Sequence, residues 1–199
     1  MKKTFAYLLA LLTLVRVLSA CGGSSSPGAD DFSYAAEAFS VTVRGSFTPA
    51  DGVARPIAAV VEVGVPVAED SPLRPLSVSF TQPPSLAGVT VRATVQPDGS
   101  GVLTRTVTYS ARSDYGTVTA ESAAGAFDGL LRFAEALLPH GDVVSVSPVN
   151  EDGTHTVTRK AADGSRTEDY LFERGRIMPL RVRVTAGQET IDLAVDGLP

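Results

Sequence analysis

Tryptophan is absent from this chain of 199 residues, cysteine occurs once and histidine twice. One cysteine makes no disulfide framework and no Cys-rich zinc or iron–sulfur site within a chain. Two histidines leave little material for a metal centre, and there is neither a glycine-rich phosphate loop nor an EF-hand loop. No metal or cofactor is expected. An excess of positive charge is also missing, since 17 Lys and Arg face 22 Asp and Glu. Lys2, Lys3 and Arg16 fall in the first 20 positions, so the remaining 14 basic and 22 acidic residues leave −8. Nucleic acid is therefore not an expected partner, because binding phosphate needs a basic surface. No run reaches the ~18–20 apolar residues of a spanning helix. At 44% hydrophobic residues the chain is still too apolar for a disordered one.

What is present begins with an address. Met1-Lys2-Lys3 is a basic start to an uncharged, mostly apolar run from Thr4 to Val15. Twelve residues of helix cover roughly 18 Å, short of a ~30 Å hydrocarbon core, so residues 1–20 read as a secretory signal. Leu18-Ser19-Ala20-Cys21 follows and resembles the lipobox of bacterial lipoproteins. That resemblance implies cleavage between Ala20 and Cys21, and a thiol carrying a diacylglyceryl group with two acyl chains, palmitate among them. Acyl chains at about 0.8 kcal/mol per buried CH₂ then hold the protein on a bilayer. Residues 21–30 form the anchor and a Gly/Ser-rich tether, with Gly22 to Ala29 spanning roughly 15 Å as a flexible coil. Nothing polybasic adjoins Cys21, so anionic headgroups offer no second attachment.

Residues 31–199 read as one domain dominated by period-2 alternation rich in Val and Thr. Phe39, Val41, Val43 and Phe47 share a face, as do Ile57 to Val67 at alternate positions. Leu76–Phe80, Val89–Val95, Leu103–Tyr109 and a weaker Tyr115–Ala120 follow, with Pro97-Asp98-Gly99 as a turn. Later strands are expected at Val143–Val149, Thr154–Arg159, Arg166–Glu173, Ile177–Thr185 and Thr190–Val195. Their short connections join antiparallel neighbours, since a parallel crossover needs a dozen or more residues.

Ser122–Leu138 breaks the rhythm. Phe127, Leu130, Leu131, Ala134, Leu137 and Leu138 recur at helical spacing, with Asp128, Arg132 and Glu135 opposite. Ser122 is placed to cap this helix, and Pro139 and Gly141 to end it. A shorter helical turn is expected through Tyr34–Ala38. The fold class is α+β: a single curved antiparallel sheet of about eleven strands with one main helix on its concave face.

In strand order, in Val78-Ser79-Phe80-Thr81-Gln82-Pro83-Pro84-Ser85-Leu86-Ala87-Gly88, in the helix, and in Gly175-Arg176-Ile177-Met178-Pro179-Leu180, the stretch from Phe39 to Leu198 resembles the LolA/LolB-like half-barrel superfamily. That group includes the LppX/LprG-like lipoproteins of actinobacteria, and the chain is similar to small Gram-positive lipoproteins. The resemblance implies a lipid or lipoprotein acyl chain cupped in an apolar concavity. Phe127, Leu130, Leu131, Phe133 and Leu137 are then the candidate cavity or lid residues.

Reaction chemistry is thin. There is no G-x-S-x-G elbow, and an acylated Cys21 is blocked as a nucleophile. His140, after Pro139, is placed to complement a helix dipole or cap a carbonyl, and His155 reads as exposed on a hairpin strand. Asp30/Asp31, Glu69/Asp70, Glu151/Asp152 and Glu168/Asp169 read as solvated turn residues. The stretch Arg159–Arg183 holds seven basic residues against four acidic ones, with Arg181 and Arg183 on one strand face. This stripe suits an anionic partner, or the solvated outer face of an amphipathic strand. The expectation is a monomeric, non-enzymatic lipoprotein on the extracytoplasmic face of a bacterial membrane. That membrane is the cell membrane in a Gram-positive organism and the outer membrane in a Gram-negative one. It either binds a lipid or acyl chain, or serves the envelope as a structural or interaction protein with a fully packed core.

Overall fold

The structure, a computed structural model, describes residues 30–67, 73–95, 102–110, 117–121 and 128–196. The signal, the Cys21 anchor, most of the tether, Glu69/Asp70, Pro97-Asp98-Gly99, Tyr115 and Ser122–Phe127 lie outside the described residues. A 3₁₀ helix over Asp30–Ala36 comes first. The strands are β1 (Phe39–Thr48), β2 (Arg55–Val63), β3 (Arg74–Gln82), β4 (Val89–Val95), β5 (Val102–Ser110) and β6 (Thr117–Glu121). After helix α1 (Asp128–Glu135) come β7 (Asp142–Val146), β8 (Thr154–Lys160), β9 (Arg166–Glu173), β10 (Arg181–Ala186) and β11 (Glu189–Asp196).

All of them join one antiparallel sheet in the order β6-β5-β4-β3-β2-β1-β11-β10-β9-β8-β7. Two meanders, β1–β6 and β7–β11, meet where β1 pairs with β11, from Thr42↔Asp196 to Thr48↔Thr190. Gly45 faces the backbone of Asp192 and Leu193 so closely that a Cβ would collide with it. The link from β6 to β7 must carry the chain from one sheet edge to the other. Across a flat sheet of eleven strands that distance is about 48 Å. The link has residues 122–141, and Asp128 to Leu138 are helix or helical turn, rising only about 17 Å. Its other nine residues reach at most ~31 Å. A flat sheet would leave no slack for a link that also crosses above it, so the sheet curls and brings its edges closer, as wide twisted sheets do.

The inner face is apolar along nearly every described strand: Val41 and Val43, Ile57 to Val63 at alternate positions, Leu76, Val78 and Phe80, then Tyr170 and Phe172, Val182 and Val184, and Ile191 to Val195 at alternate positions. Two short elements cover it. Phe133 of α1 stands edge-on to Phe47 of β1 at 5.7 Å and to Phe80 of β3 at 6.3 Å between ring centroids. Phe32 of the 3₁₀ helix stands edge-on to Tyr170 at 4.9 Å and to Phe172 at 5.3 Å, with the Arg159 guanidinium 4.7 Å over its ring. The Tyr34 hydroxyl donates to the Leu137 carbonyl at 2.8 Å and joins the two covers.

Several boundaries differ from the sequence reading for identifiable reasons. The second run ends at Val63: the Gly64 N–H still donates to the Pro75 carbonyl, but Pro66 has no N–H to continue the ladder; Val65 and Val67 are exposed. Likewise β7 stops at Val146 before Pro148, and β10 starts at Arg181 after Pro179, leaving Val149 and Ile177 in turns. The N-terminal turn is a 3₁₀ helix four residues earlier than expected, set by the burial of Phe32 and Tyr34. The described part of the main helix closes at Glu135, with Ala136–Leu138 in turn conformation before Pro139.

Candidate functional site

The α1 seam is where a lipid-binding reading places its ligand. Leu131, Ala134 and Leu137 are fully buried, and Phe133 and Leu138 nearly so. Leu130 lies on α1, and Phe127 lies outside the described residues. Phe133, which flanks the predicted stripe, sits between Phe47 and Phe80. The backbone after the helix is held from below by Tyr170, whose hydroxyl lies 3.3 Å from the Ala136 carbonyl and 3.5 Å from that of Leu138. Arg132 reaches out to Glu189 of β11.

A polar node lies at the end of this seam. Glu168 of β9 is 1% exposed, although Glu168/Asp169 read as solvated. Its Oε2 accepts from the His140 backbone N–H at 2.9 Å and from the Tyr170 hydroxyl at 2.9 Å. Its Oε1 accepts from Arg166 Nε at 2.6 Å and stands 3.3 Å from His140 Nδ1. Burial pushes this carboxyl up, but the His140 contacts and the Arg166 charge outweigh it and hold Glu168 below the usual carboxylate range. Burial, reinforced by the Glu168 charge, pushes the Tyr170 phenol well above its ordinary value. Arg159 ties down the next residues by donating to the carbonyls of His140 and Gly141. His140 is thus a buried partner of a carboxylate, and the helix-dipole role expected for it is not what it performs. The node fastens the chain between α1 and β7, and within it His140 Nδ1 and one terminal nitrogen of Arg166 are buried without a hydrogen bond.

His155 is half-buried where exposure was expected, because its Nε2 bonds Asp31 Oδ2 at 2.9 Å and its ring stacks on Phe172. Asp31 is accordingly part of the fold. Arg74, which the sequence reading passed over, is buried at the inner end of β3, where burial lowers its pKa. It donates to the carbonyls of Gly64, Ala35 and Glu37 and clamps the end of the 3₁₀ helix. Asp152 stays a solvated turn residue, held below the usual carboxylate range by hydrogen bonds from Thr154. In the basic stretch, Arg181 and Arg183 do share the outer face, with Val182 and Val184 inside. Arg181 makes two bonds of 2.6 Å to Asp192, and Arg183 lies in register with Asp169 and Asp192. Carboxylates therefore interleave the stripe.

Two open clefts are present among the described residues. One of about 390 Å³ crosses the outer face of β2–β4 between Glu62, Ser77, Arg92 and Thr94. Another of about 510 Å³ lies beside α1, with Val184 and Ile191 as floor and Arg132, Glu135, Arg166 and Glu189 as rim. Both carry charges of either sign and neither is an apolar chamber. Among the described residues no cluster of three His, Cys, Asp or Glu side chains stands ready for a metal, and no helix is long and apolar enough to cross a membrane.

No protein-family model matches the sequence, and no curated protein matches it. Among solved structures, a DUF1329 family protein from Desulfovibrio piger aligns over 84% of this chain and 86% of its own, with 11% identity and a TM-score of 0.45. A LolA superfamily protein from Nitrosomonas europaea aligns over 87% of this chain and 92% of its own, with 12% identity and a TM-score of 0.41. At 11% and 12% identity no residue role carries over from either.

Proposed function

We propose that the protein is a non-catalytic, membrane-tethered extracytoplasmic domain that works through its surface, with α1 and the 3₁₀ helix packed on its open sheet. The observation that carries this is the α1 seam: Leu131, Phe133, Ala134, Leu137 and Leu138 are at most 2% exposed and belong to one core cluster with the inner face of the sheet. The tether rests on Cys21 in its lipobox. Cys21→Ser should leave the fold intact and release the protein from membrane fractions. If that variant still sediments with membranes after high-salt washing and has the mature mass, the anchor reading is wrong.

A second reading is lipid carriage with α1 as a movable cover. It draws on the long contacts from Tyr170 to the Ala136 and Leu138 carbonyls, and on the apolar inner face, which the described part of α1 meets through eight residues. Native mass spectrometry of mildly extracted protein separates the two. The packed-core reading expects the bare mature mass plus its anchor, and a stoichiometric non-covalent lipid would replace it with the carrier.

A further inference from the structure

Strand direction sorts the loops into two ends of the sheet. The end where β1 begins also carries the β2–β3, β7–β8 and β9–β10 connections. The chain enters at this end, and its entry is fixed there. Asp31 is bonded to His155 near the start of β8, and Arg74 at the start of β3 holds the carbonyls of Ala35 and Glu37. Four of the most exposed large apolar side chains sit on the loops of this same end: Val65, Val67, Val149 and Ile177, at 59–69% exposure.

These side chains do not hang from slack loops. Ile177 is held outward between Arg176, which donates to the Val195 carbonyl at 2.9 Å, and Met178, which packs on the core. The Arg174 N–H donates to the Gly153 carbonyl at 3.1 Å and ties the β9–β10 turn to the β7–β8 turn that bears Val149. Val67 is pinned by its N–H to the Leu73 carbonyl at 2.8 Å. Only eight residues separate Cys21 from Asp30, so a chain anchored at Cys21 has its entry into the domain within about 32 Å of the bilayer. Apolar tips on a rim facing lipid have a place to bury that a free surface does not give them.

The geometry points to this entry end as a docking surface for the bilayer itself, with Val65, Val67, Val149 and Ile177 as the side chains that enter the interface. The inference rests on the anchor at Cys21. The rim carboxylates Glu37, Glu151, Asp152 and Glu173 outnumber Arg174 and Arg176 nearby, so the surface suits uncharged, zwitterionic headgroups and not anionic ones.

The absence of tryptophan makes the test clean. Ile177→Trp, Val149→Trp and, as a control at the opposite end, Val53→Trp each give the mature chain a single indole. Each variant is placed in phosphatidylcholine vesicles with and without brominated acyl chains. The mass of the mature protein shows whether Cys21 is acylated; where it is not, the thiol is coupled to a maleimide phospholipid in the vesicle. The expected result is a blue shift and a loss of emission to brominated lipid at positions 177 and 149, with neither at 53, unchanged by added salt. Equal responses at both ends, or none at 177 and 149, overturn the docking surface. A shift at 177 that grows with protein concentration in the absence of lipid gives the site to a second copy and likewise overturns it. Missing acylation with docking still seen on the coupled lipid would fail the lipoprotein reading alone.

Discussion

Replacing Phe133 by Ala decides between a packed core and a covered cavity. The ring is 1% exposed, held edge-on between Phe47 and Phe80, with Leu131, Ala134 and Leu137 fully buried beside it. Truncating a core Phe ordinarily costs about 3–5 kcal/mol, the lost transfer energy plus that of the cavity left behind. Each edge-on aromatic pair is worth roughly 0.5–1.5 kcal/mol beyond area, which puts this site in the upper part of that range. Set against a whole-domain stability of about 5–15 kcal/mol, the loss is large. Urea unfolding followed by far-ultraviolet circular dichroism, in a Cys21→Ser background, measures it as a lower midpoint at unchanged slope. Leu137→Ala should lose about 2–5 kcal/mol. Neither variant should be rescued by added fatty acid or phospholipid. A loss below about 1 kcal/mol at Phe133, far under the usual core cost, would mean that the ring borders a void. Recovery of that stability with lipid would make α1 a lid and refute the packed core.

Three other substitutions probe what holds the covers in place. Glu168→Ala strands Arg166, the His140 N–H and the Tyr170 hydroxyl in a buried site and should cost about 3–5 kcal/mol. Because folded Glu168 binds its proton less readily than the unfolded chain, its contribution is complete above the ordinary carboxylate value of about 4.3 and is lost as pH falls through the lower folded value. Wild-type stability should therefore fall more steeply below pH ~4 than that of Glu168→Gln, and parallel acid limbs would remove the node from the account. Phe32→Ala should cost about 3–5 kcal/mol, and a chain beginning at Phe39 should be markedly less stable in urea than one beginning at Asp30. Equal stability of those two chains would show the 3₁₀ helix to be an ornament. Gly45→Ala drives a methyl into the Asp192 carbonyl and should separate β1 from β11, seen as early hydrogen exchange along Thr42–Thr48; unchanged protection would contradict the close approach.

The sheet was legible because each of its strands carries its own evidence. Alternation of Val with Thr or Arg, punctuated by Asp-Gly, Arg-Gly and Ala-Gly turns, fixes both the faces and the antiparallel pairing, so Val182 and Val184 inside and Arg181 and Arg183 outside needed only period 2. Boundaries were lost where apolar periodicity outran backbone chemistry. Val65, Val67, Val149 and Ile177 continue the pattern of their strands, but Pro66, Pro148 and Pro179 beside or near them remove ladder donors. The same residues then become the exposed tips at the entry end, so a broken rule of alternation marked a surface feature.

Polar residues of the interior were missed for a different reason. Charge was read as solvent exposure, yet parity alone aligns Arg166, Glu168, Tyr170 and Phe172 on one face of β9, and Arg74 with Leu76, Val78 and Phe80 on one face of β3. A charged residue at an inward position demands a partner, and those partners sit far along the chain: His140 lies 28 residues before Glu168, and Ala35 lies 39 before Arg74. No local pattern contains such pairs. They exist because the chain must fasten two short covers, the 3₁₀ helix and α1, over a sheet far wider than either. A greasy contact is non-directional and lets a short element slide. A buried carboxylate or guanidinium that bonds specific backbone groups does not, since moving away leaves a charge unpaired in the core. Glu168 and Arg74 therefore fix where the covers lie, and Arg74 together with the Asp31–His155 pair fixes both ends of the 3₁₀ helix against the sheet.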